Sequence, residues 1–308
     1  MKNYILSING GIGKCVAATG VCEAIKKNYP DAYLIVISGY PEVFLNNPNV
    51  DKSLQYGAIT YFFDDYIKDK DFKVMAHEPY LESDYISRKK HLIEVWCEMN
   101  GIAYNGEQPQ IFLNQRELDF YQKKYQSDKP ILLMQTNGGG NKDLKYSFAR
   151  DLPSCVVLKV IEHFAPTHNI VHIRRDDQIG YQGTTPIHAG FREILALTLL
   201  SSKRLLIDSF LQHSTAALNL PSTVCWITNS PKNLGYAMHD NILAKPYTNK
   251  PELRHALYEE FDISGNPEQF PYNSEDEIFN ISAIIDSLEG VKNEESKPLQ
   301  KKHRQKSK

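Results

Sequence analysis

Short apolar runs alternate along this chain with stretches whose apolar residues recur at helical spacing. Residues 4–8 and 33–38 read as strands, and the second is apolar almost throughout, as in a strand covered by helices on both faces. Residues 16–27 lie between them, with Val16, Thr19, Ala24 and Ile25 on one side and charges at the end, which predicts a helix. A further strand is expected at 72–76. Helices are expected at 87–100, stopping at Gly101, and at 118–125. The pattern breaks around Gln126-Ser127-Asp128-Lys129-Pro130 and then restarts. Strands are predicted at 131–134, 169–173, 204–207 and 223–227, and helices at 154–163, 192–200, from 213, and at 276–288. Two successive series of strand–loop–helix units predict an α/β protein with two doubly wound domains, 1–126 and 129–265. Residues 293–308 are charged and aperiodic and read as a disordered basic tail.

Composition narrows the class. The 308 residues are 42% hydrophobic and carry a formal charge of −2, so no whole-molecule field draws the chain to nucleic acid or membrane. No run of 18 apolar residues is present, so no membrane span is expected, and the start of the chain lacks the h-region of a signal peptide. Cys15, Cys22, Cys97, Cys155 and Cys225 are scattered and form no C-x-x-C pair. Reduced thiols and a cytoplasmic location are the expectation, with no metal site.

The first loop, Asn9-Gly10-Gly11-Ile12-Gly13-Lys14-Cys15, raises a phosphate-binding reading. The P-loop pattern G-x-x-x-x-G-K-[ST] would take Gly13-Lys14 as its GK, but Ile8 stands where its first glycine belongs and Cys15 where its hydroxyl belongs. A thiol is a poor ligand for Mg²⁺. A P-loop hydrolase stays open as an alternative, and Asp69-Lys70-Asp71 is set aside as a chance D-x-D.

Three segments in order carry a resemblance. They are the glycine turn with the Tyr29-Pro30-Asp31-Ala32 strand entry and Asn47-Pro48-Asn49-Val50-Asp51; the strand at 131–134 with its polar loop and Lys145-Tyr146-Ser147-Phe148; and the gapless run from Asp208 to Pro221. Together they resemble the heptosyltransferases, GT-B glycosyltransferases of the ADP-heptose:lipopolysaccharide type. The resemblance implies two Rossmann-like domains facing across a cleft, a nucleotide-sugar donor as co-substrate, no cofactor, and a C-terminal helix at 275–290 packing back on the first domain.

It also implies site residues. Asp208, Ser209 and Phe210 precede a helix whose free N–H groups can meet the donor diphosphate, with His213 one turn further on. Lys145 would supply positive charge, and Thr136, Asn137 and Gly138 would begin the donor loop that continues through Gly139, Gly140 and Asn141. Asp176 or Asp177 would reach the ribose. Gly10, Gly11, Gly13 and Lys14 would line the acceptor side with Asp84 and Arg88. The acceptor is a hydroxyl-bearing glycan or nucleic acid, and an anionic one suits the basic run Arg88-Lys89-Lys90-His91.

Two positions depart from the family. Phe210 replaces a glycine. Lys14 replaces the Asp taken to be the base of an inverting transfer. A charged lysine accepts no proton, so a base must come from elsewhere: His77 or Glu78, at the end of the 72–76 strand, or a Lys14 made neutral by burial. A sugar-nucleotide binder without catalysis is the third reading.

Overall fold

The computed structural model describes residues 2–57, 59–138, 147–249 and 270–291. The predicted tail, Lys145 and Gly139-Gly140-Asn141 lie outside the described residues.

The first domain is a four-stranded parallel sheet ordered β3-β2-β1-β4, built from β1 (Asn3–Ile8), β2 (Tyr33–Ser38), β3 (Lys52–Gln55) and β4 (Phe72–Met75). The second is a six-stranded parallel sheet ordered β10-β9-β8-β5-β6-β7. Its strands are β5 (Ile131–Met134), β6 (Asn169–Ile173), β7 (Thr185–Ile187), β8 (Ser201–Ile207), β9 (Thr223–Trp226) and β10 (Asp240–Leu243). Numbered within the domain, this is the doubly wound order 3-2-1-4-5-6. The chain runs outward in opposite directions from β1/β4 in the first sheet and from β5/β8 in the second. Those two switch points are where open α/β sheets bind ligands.

Helix α1 (Ile12–Asn28) follows β1 and is buried along one unbroken stretch, Lys14 to Cys22. That explains why it carries no clear amphipathic stripe: a helix with apolar residues all round belongs inside. The outward helices of the first domain are α2 (Ser83–Ile86) and α3 (Leu92–Met99). α4 (Gln115–Lys124) starts with a reciprocal Asn114/Glu117 capping box. In the second domain α5 (Ser154–Phe164) and α6 (Phe191–Leu200) cover the sheet, and α7 (Phe210–Ala217) follows β8. One continuous apolar core joins α1 and α3 to Leu206, Leu211 and Ala216 of the second domain. A separate core lies under α5 on the far side.

The structure corrects three expectations. The helix expected from residue 87 starts at Leu92, because Arg88 takes a left-handed φ of 54° and His91 caps the helix by accepting from the N–H of Ile93. The last helix is not one piece: a 3-10 turn at Glu275–Glu277 precedes α9 (Ile281–Glu289), the short helix α8 being Pro231–Leu234. Nor does α9 return to the first domain. Its Ile284 and Leu288 enter the second domain's far core, Leu288 accepts from Lys203 Nζ at 2.6 Å, and Ser287 bonds Thr223.

All five cysteines are free thiols. Among the described residues no helix is long and apolar enough to cross a membrane.

Candidate functional site at the domain interface

Each switch point presents a loop to the other. After β1 the chain turns at Gly10, whose φ of +126° only glycine adopts without strain, and enters α1. After β8 it passes Asp208-Ser209 and enters α7. The helix starts then meet. A Cβ placed on Gly13 would lie 3.2 Å from the Cα of Phe210 and 3.2 Å from Cδ2 of His213. Gly13 is therefore a close-approach residue, and Phe210 closes the gap on the other side. Gly13→Val would wedge the two helices apart. The expected cost is about 1–3 kcal/mol, as for other overpacked contacts, read as a lower urea midpoint.

On the first domain's side, Lys14 is 5% exposed, and its Nζ donates to both Oε1 and Oε2 of Glu78 at 2.6 Å. The ammonium also lies over the rings of Tyr80, at 4.9 Å, and Trp96, at 5.4 Å. Glu78 caps the following turn by accepting from Tyr80 N–H, while its side chain stays 36% exposed. Burial, with the Asp208 and Glu78 carboxylates nearby, raises the Tyr80 phenol pKa.

On the second domain's side, Asp208 is buried. Its Oδ2 accepts from Asn229 Nδ2 and lies 4.0 Å from Arg150 Nε. Ser209 Oγ accepts from Gln135 Nε2 at 3.1 Å, tying the β5 and β8 ends together. Thr136 bonds both Asn137 Oδ1 and the buried His172, each at 2.8 Å. Asp151 organises the loop that follows β5: its carboxylate accepts from Asn137 Nδ2, Gly138 N–H and Ser147 N–H at 2.7–3.0 Å. Gln178 donates to Gly138 O from the β6 side. Burial and the Arg174 charge push the His172 ring down to about 4, so it stays neutral at pH 7.

The remaining sequence candidates are spread out. His77 is exposed, and its Nδ1 lies 3.1 Å from Asn100 Oδ1. Asp84 pairs with Lys90 and Lys89. Arg88 bridges the domains, its Nη2 donating to Thr228 O at 3.2 Å. Gly11 is the exposed N-cap of α1. Asp176 is exposed beside His188. His213 turns inward and shares a 2.8 Å hydrogen bond with the Tyr236 hydroxyl. Around Tyr236 three histidines gather, His91 from the first domain and His213 and His239 from the second.

Sequence reasoning missed Arg150, Asp151 and Asn229. The signals were an Arg-Asp pair just before the Pro that opens α5, and an Asn just beyond β9. Among the described residues no group of three or more His, Cys, Asp or Glu could hold a metal ion.

No protein-family profile and no curated protein matches this chain. Solved structures of the same fold do. A family 9 glycosyl transferase from Veillonella parvula superposes with a TM-score of 0.65 at 13% identity, over 94% of this chain and 96% of that one. The ADP-heptose lipopolysaccharide heptosyltransferase II of E. coli gives a TM-score of 0.61 at 10% identity, over 79% and 90%. TibC, a dodecameric iron-containing glycosyltransferase of enterotoxigenic E. coli, gives 0.62 at 11%, over 94% and 76%. The chain has the GT-B fold of these glycosyltransferases, with two doubly wound domains whose switch points face each other.

Proposed function

We propose that this chain is a glycosyltransferase that moves a sugar from a nucleotide-sugar donor to the hydroxyl of a glycan acceptor, with inversion and without a bound metal. The observation that carries the reading is the meeting of the two switch points. It packs Gly13 on Phe210 at the start of α7, one residue from the Lys14 that holds Glu78, with Arg150 beside Asp208 on the other side. A glycosyl transfer needs a cationic, hydrogen-bonding cradle for the departing diphosphate and a base for the incoming hydroxyl, held on opposite sides of one bond.

The second domain supplies the cradle. The N–H groups at the start of α7 and the Ser209 hydroxyl meet phosphate oxygens. Arg150, oriented by Asp208, brings positive charge, and Lys145 would add a second cation. Thr136, held by His172, and Asn137 and Gly138, held by Asp151, form the wall of the nucleotide pocket, and Asp176 lies on the ribose side. The fold resemblance to enzymes named for ADP-heptose and lipopolysaccharide supports a bacterial-glycan type of acceptor. The hydrolase reading is weaker. Lys14 is engaged by Glu78 rather than open to a nucleotide, and Cys15 is fully buried in the apolar core.

A thermal-shift panel of nucleoside diphosphates and nucleotide-sugars, with and without Mg²⁺, tests this. One nucleotide class is expected to raise the melting point without Mg²⁺. A ligand at a hundredfold excess over Kd adds about 2.7 kcal/mol. The shift should vanish in Asp208→Ala and in Arg150→Ala. A shift by ATP that requires Mg²⁺ and survives Asp208→Ala would instead establish a nucleotide hydrolase.

A further inference from the structure

We infer that the catalytic carboxylate of this chain is Glu78, and that Lys14 is its positioning partner. The inference deepens the transferase reading and rests on it. The acidic group expected directly after the first loop's last glycine is absent, and a lysine stands there. Yet a carboxylate is joined to that position, because Lys14 reaches across the switch point and holds Glu78 by both oxygens at 2.6 Å. Position 14 has become the holder, and the end of β4 now supplies the acid.

The geometry favours Glu78 over its neighbour. His77 is turned to Asn100, at the C-terminal end of α3. Glu78 is fixed from two sides, by Lys14 and by the Tyr80 N–H that bonds Oε1. Oε2 has Lys14 as its one hydrogen-bond donor among the described residues, and it belongs to a side chain 36% exposed. One lone pair of Oε2 is thus left for an acceptor hydroxyl. Lys14 is fixed in turn by burial between the Tyr80 and Trp96 rings. A base held this firmly has the preorganisation that a transfer step needs.

In the step, the acceptor oxygen bonds to the anomeric carbon as the bond from that carbon to the diphosphate oxygen breaks. The bonding pair leaves on the nucleoside diphosphate. The hydroxyl proton passes to Glu78 Oε2 and later to solvent. Lys14 keeps its proton throughout and acts only through Glu78.

The test reads nucleoside diphosphate released from ADP-glucose, GDP-mannose and UDP-glucose, with water as the acceptor, beside donor binding by calorimetry. Glu78→Gln is expected to lower turnover about 10²- to 10⁴-fold, the usual contribution of a general base, with donor affinity unchanged. Lys14→Met/Glu78→Gln removes both charges together, so it folds without a stranded ammonium, and it should stay as slow as Glu78→Gln. Added formate should partly restore turnover in Glu78→Ala. Recovery of turnover in the double variant would make Glu78 a mere counter-charge and overturn the inference while leaving the transferase reading intact. A wild type that binds donor but releases no diphosphate would also overturn it. Binding of none of the three donors would overturn the transferase reading itself.

Discussion

Lowering the pH from 7 to 5 is expected to destabilise this protein by about 6 kcal/mol, from His91, His172 and His213 at about 2 kcal/mol each. Burial, with the repulsion that His91 and His239 would exert once protonated, pushes the His213 ring down to about 3. Burial pushes His91 down to about 4 and, with Arg174, does the same for His172. Burial lowers His239 too, with Arg204 acting in the same direction. In the unfolded chain each ring titrates near 6.5. Between that value and about 4, the unfolded state therefore binds more protons than the native state, and stability falls as pH falls. Above pH 7 the rings are neutral in both states and the term disappears. Carboxylates held low by partners, such as Glu117 beside Arg192, contribute in the same direction only at more acid pH. The effect has a structural address. His91 belongs to the first domain and His213 to the second, and both pack on Tyr236 with His239 beside them, whereas His172 lies apart against Thr136. Protonation charges the domain interface from both sides, and among the described residues the buried Nδ1 of His239 has no partner to accept a hydrogen bond from its new N–H. Urea midpoints at pH 7 and pH 5 measure the loss, and a His213→Gln variant should show a flatter pH dependence. A change below 1 kcal/mol would mean that these rings are not kept neutral by the fold.

The sequence carried the frame of this molecule because the frame is made of buried parallel strands and the turns after them. β2, β5 and β6 are short runs of mostly apolar residues with sharp ends, and their limits were legible. The polar edge strands were not. β3 reads Lys-Ser-Leu-Gln, β7 contains Pro186, and β10 opens with Asp-Asn, so none shows an apolar run. Edge strands can be polar because one flank pairs with no neighbour. The start of α3 was misread for a local reason: the left-handed turn at Arg88 leaves no trace in apolar spacing. α9 was placed on the wrong domain because its amphipathic face says that it packs, but not on what.

The site was legible in its parts and hidden in its pairings. Lys14 and Glu78 were each singled out from the sequence, but they are 64 residues apart and only the sheet order brings them together. The same holds for Asp208 with Arg150 and Asn229, which converge from three loops. Lys14 looked like a phosphate-binding lysine because its local context is a glycine turn before a helix. The partner that decides its role lies on another strand.

That pairing predicts an asymmetry between its two halves. Glu78→Ala is expected to destabilise the fold by about 3 kcal/mol, because it strands a charge that the structure has taken out of water. Lys14 is 5% exposed and has no other carboxylate partner among the described residues. The Tyr80 and Trp96 faces offset part of that cost, about 1 kcal/mol at most for each ring at such distances. Lys14→Met is expected to cost less than 1 kcal/mol, since Glu78 is 36% exposed and water can take over its oxygens. The methionine fills much of the volume that the lysine stem occupied. Replacing both residues should therefore restore most of the stability lost in Glu78→Ala. Urea unfolding of the two single variants and of Lys14→Met/Glu78→Ala forms a double-mutant cycle. A coupling of about 2 kcal/mol is expected, with the double variant more stable than Glu78→Ala alone. Equal costs for the two single changes would show that Lys14 is hydrated in solution, and the base would then lose its holder.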